Sequence, residues 1–334
     1  MPDTFARTKL DVRPRYEHLI ALAQREPAIK TAIAHPCDDA SLQSAVEAAR
    51  LHLIEPILVG PSARVRSIAA EAGYDISGMQ LVDAAHSHDS AAKAVALVTA
   101  GRTEALMKGS LHTDELMAAV VSHEAGIRTA RRISHCFIMD VPGHADALII
   151  TDAAINIAPT LDEKVDIVQN AIDLAHALGV PEVRVAVLSA LETVTAKVPS
   201  TIEAAALCKM ADRGQITGAL IDGPLALDNA ISPEAAAIKH IASPVAGRAN
   251  VLVVPDLEAG NMLAKSLSFL AHADAAGIVL GARVPIILTS RADSLLTRLA
   301  SCAVAVLLAA ARRRSAAALA KDGVSPPAPD TPAR

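Results

Sequence analysis

Ser290, Arg291 and Asp293 place a hydroxyl, a guanidinium and a carboxylate within four residues, directly after the apolar run VPIILT. On a structural reading, Ser290 or Asp293 is a helix N-cap, because short oxygen-bearing side chains accept hydrogen bonds from first-turn amides. Arg291 fits that reading poorly, since a cation opposes the positive end of the helix dipole. An anion bound by Arg291, Ser290 and free helix amides removes the conflict, so the stretch reads as a small phosphate cradle. Four further polar clusters also follow apolar runs. They are Lys108-Gly109-Ser110-Leu111-His112-Thr113, Asp222-Gly223-Pro224-Leu225 with Asp228, Ser243 to Arg248, and Pro255-Asp256-Leu257 with Gly260 and Asn261. Taken singly, these are ordinary turns and caps, with Ser110 or Thr113 capping the next helix and Asp222 binding turn amides.

The elements that must position these clusters alternate along the chain. A helical pattern over about 15–25 precedes the short strand TAIAH, and SLQSAVEAARL reads as a helix capped by Ser41. PILVGP (56–61), MQLVDA and EALMKGS read as strands separated by the helices ARVRSIAAEAG and HDSAAKAVALVTAG, the last strand ending at Lys108 and Gly109. Thr160 and Glu163 form a capping box, followed by Val165, Val168, Ala171, Ile172, Ala175 and Leu178 at helical spacing up to Gly179 and Pro181. Residues 183–190 read as a strand, Ser200 with Glu203 as a second capping box, and ITGALID as a strand ending at Asp222. VLVVPD (251–256) is the next strand and NMLAKSLSFLAHADAAG the next helix. Such alternation predicts an α/β fold with a mainly parallel sheet, whose ligands bind outside the carboxyl ends of the strands. From 314 to 334 the chain is rich in Ala, Pro and charge and reads as a disordered tail.

Composition narrows the function. The 334 residues are 52% hydrophobic but 1% aromatic, so the core is built from small aliphatic side chains and a base-stacking platform is not expected. A net charge of −5 supplies no broad field for nucleic acid or an anionic membrane, and any anion site must be local. The apolar run at 299–311 is too short to span a bilayer, and the N-terminus shows no apolar leader segment, so a soluble protein is expected. Cys37, Cys136, Cys208 and Cys302 are scattered, which reads as reduced cytoplasmic thiols. Histidines show no metal-ligand spacing, so no metal site is expected. GxGxxG before a helix, GxxxxGK[ST] and GxSxG are all absent.

Three segments in order, KGSLHTDEL, IDGPLALDNAISPEAAAIKHIASPVAGRANVLVVPDLEAGNMLAKSL and VPIILTSRADS, resemble the phosphate acetyl/butyryltransferase family, and the likeness runs from about residue 15 to 312. LTSRADS and HPCDDASLQSAVEAA resemble the butyryl branch. The resemblance implies a two-domain αβα sandwich similar to the isocitrate/isopropylmalate dehydrogenase fold. Residues 1–140 plus 280–313 would form one domain and 141–279 the other, with the second making a homodimer contact. It implies a cytoplasmic enzyme that exchanges phosphate and coenzyme A on a short acyl group, with both as substrates and no tightly bound cofactor.

By the same likeness, Ser290 and Arg291 bind the phosphoryl group. The base of the acetyl-specific pattern SRGxSxxDI falls at Thr297, which cannot serve, so Asp293 is the candidate substitute. Lys108, Gly109, His112, Asp222, Gly223, Arg248, Asp256, Gly260 and Asn261 are the expected substrate-binding set. Ser268 stands where acetyl-specific members carry an arginine, and Arg128, Arg131 and Arg132, read as one helix face, could replace that charge. No cysteine lies in a nucleophile motif, so direct transfer in a ternary complex is expected. The alternatives are an acyltransferase that uses acyl-carrier protein, or a non-catalytic binder of CoA or acyl phosphate.

Overall fold

The alternating strands assemble into one eleven-stranded sheet in the computed structural model, which describes residues 14–290 and 293–321. The first half of the chain contains α1 (Pro14–Ala23), β1 (Ile29–Ala34), α2 (Asp39–Arg50), β2 (Ile54–Gly60), α3 (Ser62–Ala72), β3 (Gln80–Asp83), α4 (Ser87–Thr99), β4 (Ala105–Lys108) and α5 (Thr113–Val120). Next come β5 (Ser134–Asp140), β6 (Leu148–Thr151), α6 (Leu161–Ala177), β7 (Arg184–Leu188), α7 (Pro199–Asp212), β8 (Leu220–Leu225), α8 (Leu227–Ile231) and α9 (Pro233–Ile238). The chain continues through β9 (Val251–Val253), α10 (Leu257–Leu270), β10 (Asp274–Leu280), β11 (Ile286–Ile287) and α11 (Leu295–Lys321).

The strand order is β3-β2-β1-β4-β11-β10-β5-β6-β9-β7-β8. Pairing is parallel except where β10 runs against both β11 and β5, and where β5 runs against β6. The sheet is therefore mainly parallel, as expected, with an antiparallel centre. β5, assigned from the sequence to the first domain, is hydrogen-bonded between β10 and β6.

Side chains alternate strictly between the two faces of the sheet. Ile149, Val251 and Val253 share one core with α2, α6, α7 and α11, whereas Ile150 and Leu252 face the opposite side under α8, α9 and α10. On that opposite side α4 and α5 cover Ala32, Val59 and Leu106. A cleft lies between these two helix groups. α11 backs it from the other face, buried from Leu299 to Ala310. By length and composition Leu295–Ala318 could cross a membrane, but 72% of that window is buried inside the protein, as suits a core helix.

Several local readings are corrected. α2 is capped by Asp38, which accepts from the Ser41 amide at 2.8 Å, rather than by Ser41. α7 begins with Pro199 at its first turn, so Ser200 does not cap it: its Oγ lies 2.9 Å from Ser189 Oγ, and Glu203 pairs with Lys164 instead. β8 continues through Asp222 to Leu225. NMLAKSLSFLAHADAAG is not one helix. It ends at Leu270, His272 adopts a φ of 54°, and Asp274 opens β10, where pairing on both sides outweighs the helical preference of alanine. α11 runs past residue 314 to Lys321, and 322–334 lie outside the described residues.

α10 approaches the sheet closely at its first turn. A Cβ at Gly260 would lie 2.7 Å from Val254 Cγ2 and 2.9 Å from Ala153 Cβ. Gly260→Val should therefore destabilise the fold by about 1–3 kcal/mol, exceeding the few tenths regained from replacing glycine in a helix. A urea midpoint equal to that of the parent would contradict this packing.

Candidate functional site

A cleft of about 800 Å³ opens between α5 and α10. Its polar end is built where β4 and β11 finish side by side. β11 joins β4 in parallel, pairing Ile286 with Leu106 and Ile287 with Met107, and so delivers Ser290 next to Lys108. Lys108 is only 7% exposed, and its Nζ donates to the Leu111 carbonyl at 3.1 Å and to that of Gly109 at 3.3 Å. Gly109 permits the close turn that follows: a Cβ there would stand 2.4 Å from the Ala34 carbonyl oxygen. The Ser110 hydroxyl secures the turn by donating to the His35 carbonyl and accepting from the Cys37 amide.

The loop after β11 folds on itself. The Ser290 amide donates to Asp293 Oδ2 at 2.6 Å, and the Asp293 amide donates back to the Ser290 carbonyl at 3.2 Å. Ser294, rather than Ser290 or Asp293, caps α11: its Oγ accepts from the Thr297 amide at 3.1 Å and lies 3.0 Å from Thr297 Oγ1. Asp293 is thereby left to line the cleft. Burial pushes its carboxyl up from the usual range, while the Ser290 amide, Arg298 and Lys108 pull it back.

Arg298 was not singled out in the sequence, although a charge inside the apolar run LLTRLASCAVAVLLA is itself a signal, since arginine is rarely buried without partners. It is 5% exposed, donating to the Ser290 carbonyl at 3.3 Å and to Ser44 Oγ on α2 at 3.4 Å. Lys108, Gly109, Ser290 and Arg298 meet Asp38 and Ser41 around a small recess continuing the polar end. Arg291 lies outside the described residues.

The other expected residues divide between cleft and scaffold. His112 is exposed on the rim and, rather than Ser110 or Thr113, forms the N-cap of α5, its amide donating to Glu115 at 2.9 Å. Asn261 lines the cleft from α10 and donates to the Ala153 carbonyl. Gly260 sits behind it in the packing already described. Asp256 caps α10, accepting from the Ala259 amide at 2.8 Å.

Asp222 and Gly223 lie in the edge strand β8, with the Asp222 carboxylate bound to the Gly223 amide, and Arg248 is exposed in the loop before β9. None of these three lines the cleft. The arginine cluster is a loop rather than a helix face. Arg131 pairs with Asp173 and Arg132 with Glu163, so their charge is already engaged.

The cleft also receives Lys265 and Ser268 from α10, and His135 and Phe137 from β5. Lys265 is an exposed cation with no ion pair among the described residues. Phe137, Ala264, Ala273, Ala275 and Leu288 give the cleft an apolar floor beside its charged end. A larger concavity of about 1100 Å³ lies at the opposite, amino ends of β1 to β4, where Lys30 and Arg102 mix with Glu55, Asp75 and Glu104. It is remote from every polar cluster singled out in the sequence. The thiols offer no ready nucleophile, as burial pushes Cys37 up to about 11 and Cys136, Cys208 and Cys302 up to about 12.

The cleft opens at the carboxyl ends of parallel strands β4 and β11, where ligands bind in open α/β sheets, and its polar end carries buried cations. The family model described as "Phosphate acetyl/butaryl transferase" matches residues 84–306, and the chain belongs to that family. It is 68% identical over 299 residues to a phosphate acetyltransferase of Rhizobium meliloti, covering 90% of this chain and 95% of that one. A solved branched-chain phosphotransacylase of Enterococcus faecalis V583 superposes with a TM-score of 0.74 at 31% identity, covering 84% of this chain and 99% of its own. A solved Salmonella typhimurium protein, described as a putative 4-hydroxythreonine-4-phosphate dehydrogenase, shares the fold alone, with a TM-score of 0.55 at 14% identity over 84% of this chain and 99% of its own. The protein is accordingly a phosphate acyltransferase of dehydrogenase-like α/β fold.

The buried carboxyl generates a pH prediction. Burial holds the Asp293 proton more tightly than in an ordinary aspartate, so the carboxyl ionises at higher pH than one in water. Arg298→Met removes one influence that opposes this, so if Asp293 is the base, the acidic limb of the pH–rate profile in the direction of acyl-CoA synthesis should move to higher pH. An unmoved or lowered limb in a folded variant would disconnect Asp293 from Arg298.

Proposed function

We propose that the protein converts acyl-CoA and phosphate to acyl phosphate and CoA in this cleft, by direct transfer within a ternary complex. The observation that carries the reading is Asp293 held beside Ser290, between the buried cations Lys108 and Arg298, at the edge of an apolar floor. Phosphate would sit at the charged end, bound by Ser290, Lys108 and Arg291. The acyl group would lie on the apolar floor, with CoA extending along α10 past Asn261 and Lys265.

Phosphate oxygen attacks the thioester carbonyl, the tetrahedral intermediate collapses, and the C–S bond breaks. Protonated Asp293 delivers its proton to the departing sulfur. In the reverse direction its carboxylate takes the proton from the CoA thiol. A raised carboxyl suits both roles. Thioester and acyl phosphate have comparable transfer potential, so the work of the site is alignment and charge stabilisation.

The 68% identical relative favours acetyl as the acyl group, whereas the LTSRADS form leans toward butyryl, and we assign a short acyl chain. Free cysteines throughout support a reducing, cytoplasmic setting. Exposed Ile157 and Ile238, both within 141–279, support the homodimer contact there. A carrier-protein substrate is the second reading, favoured by Phe269 and Leu270, 72% and 80% exposed at the end of α10.

The test is thiol release from acetyl-, propionyl- and butyryl-CoA, with and without phosphate, beside the same acyl groups on carrier protein. Release from a CoA thioester that requires phosphate is the expected result. Release from carrier protein alone would favour the second reading, and none from either would leave a binding protein. Arg291→Ala should lower turnover about a hundredfold if it stabilises transition-state charge; unchanged turnover in a folded variant would remove it from the mechanism.

A further inference from the structure

The wall of the cleft contains a titratable group with no role in the mechanism above. His135 is 1% exposed on β5, on the cleft side of the sheet with Phe137, whose ring lies edge-on to it at 4.3 Å between centroids. Its Nδ1 is buried without a hydrogen-bond partner. The nearest carboxylate that acts on it, Asp152, is fully engaged, accepting from the amides of Ala154, Ile155 and Asn156 and from Asn156 Nδ2.

An apolar side chain would fill this position without the cost of burying a polar ring with an unpartnered nitrogen. His135 Nε2 faces the neighbouring strand β10 at Gly277, where a Cβ would stand 3.1 Å from that nitrogen and 2.7 Å from the Leu288 carbonyl oxygen. Burial lowers the imidazole to about 4, so the ring is neutral over the physiological range and carries a single proton. A proton on Nδ1 would be an orphaned buried donor, costing about 1–3 kcal/mol, which places it on Nε2.

We propose that His135 is a catalytic hydrogen-bond donor, presenting Nε2–H to the thioester carbonyl oxygen of the bound acyl group. The inference rests on the reading of the cleft as the acyl-transfer site. The carbonyl is the one polar atom of the acyl group that the apolar floor must accommodate. It is also where negative charge develops as phosphate attacks, so a preorganised neutral donor there acts mainly in the transition state. A neutral donor also leaves the proton inventory to Asp293.

The test combines kinetics with nitrogen NMR of histidine-labelled full-length protein. The wild-type ring should carry its proton on Nε2, stay neutral between about pH 5 and 8, and shift at Nε2 when acetyl-CoA is added without phosphate. His135→Leu should lower kcat about a hundredfold with little change in the KM for phosphate, and His135→Gln, which returns an amide donor, should recover most of it. Wild-type turnover in His135→Leu, a ring protonated on Nδ1, or an Nε2 signal indifferent to acetyl-CoA would overturn the proposal. Failure of the underlying reading is distinguishable, because wild-type protein would then show no phosphate-dependent thiol release at all.

Discussion

The insertion of β11 between β4 and β10 is the constraint on which the site depends. Only two residues, Ile286 and Ile287, make this connection, yet they bring the segment after 288 beside Lys108 and Gly109, about 180 residues away in sequence by simple difference of position. Once there, the loop closes through the mutual hydrogen bonds of Ser290 and Asp293, and α11 presents Arg298 beneath it. Two cations buried so near one another are costly unless anionic or polar groups face them. Asp293, the Ser290 carbonyl and the Leu111 carbonyl meet part of that requirement. An anionic substrate at the charged end would add to it.

The surrounding scaffold is nearly free of aromatic residues and obtains its close packing from alanine, valine, isoleucine and leucine. Small side chains let α11 lie flat on the sheet and let α10 approach at Gly260, so the cleft walls are rigid elements rather than long loops. Rigidity matters here because acyl exchange between a thioester and an acyl phosphate, of comparable transfer potential, is accelerated chiefly by holding the reactants in line. The same packing keeps all four cysteines buried or half-buried with raised thiols, which supports a mechanism without a covalent acyl-enzyme.

Much of the fold was legible because its strands and helices differ in period and are punctuated by glycine. The Thr160 and Glu163 box opens α6 as expected, and β1, β2, β3, β4, β7 and β9 all lie within or beside the segments read as strands. The antiparallel centre was legible only in part: the apolar run at 284–288 reads as a strand and holds β11, but β5 and β6 carry no turn signature that marks them as a pair, and Ala-rich β10 has no local signature that opposes a helix. Polar clusters at strand ends proved an incomplete guide to the site. Lys108, Gly109, Ser290, Asp293, His112 and Asn261 gather at the cleft or the recess beside it, whereas Asp222, Gly223 and Arg248 belong to the far side of the sheet or its surface. His135 reads from the sequence as one more histidine without ligand spacing, on the surface or satisfied in the core, and Arg298 was not singled out, because each sits inside an apolar run where only the packed structure shows which face it occupies.

The central claim is that phosphate and acyl-CoA react directly, side by side in one cleft. Exchange of labelled CoA into acyl-CoA, measured with and without phosphate, tests it most directly. Direct transfer predicts no exchange until phosphate or acyl phosphate is present. Exchange at a comparable rate in their complete absence would require an acyl-enzyme and would contradict the account.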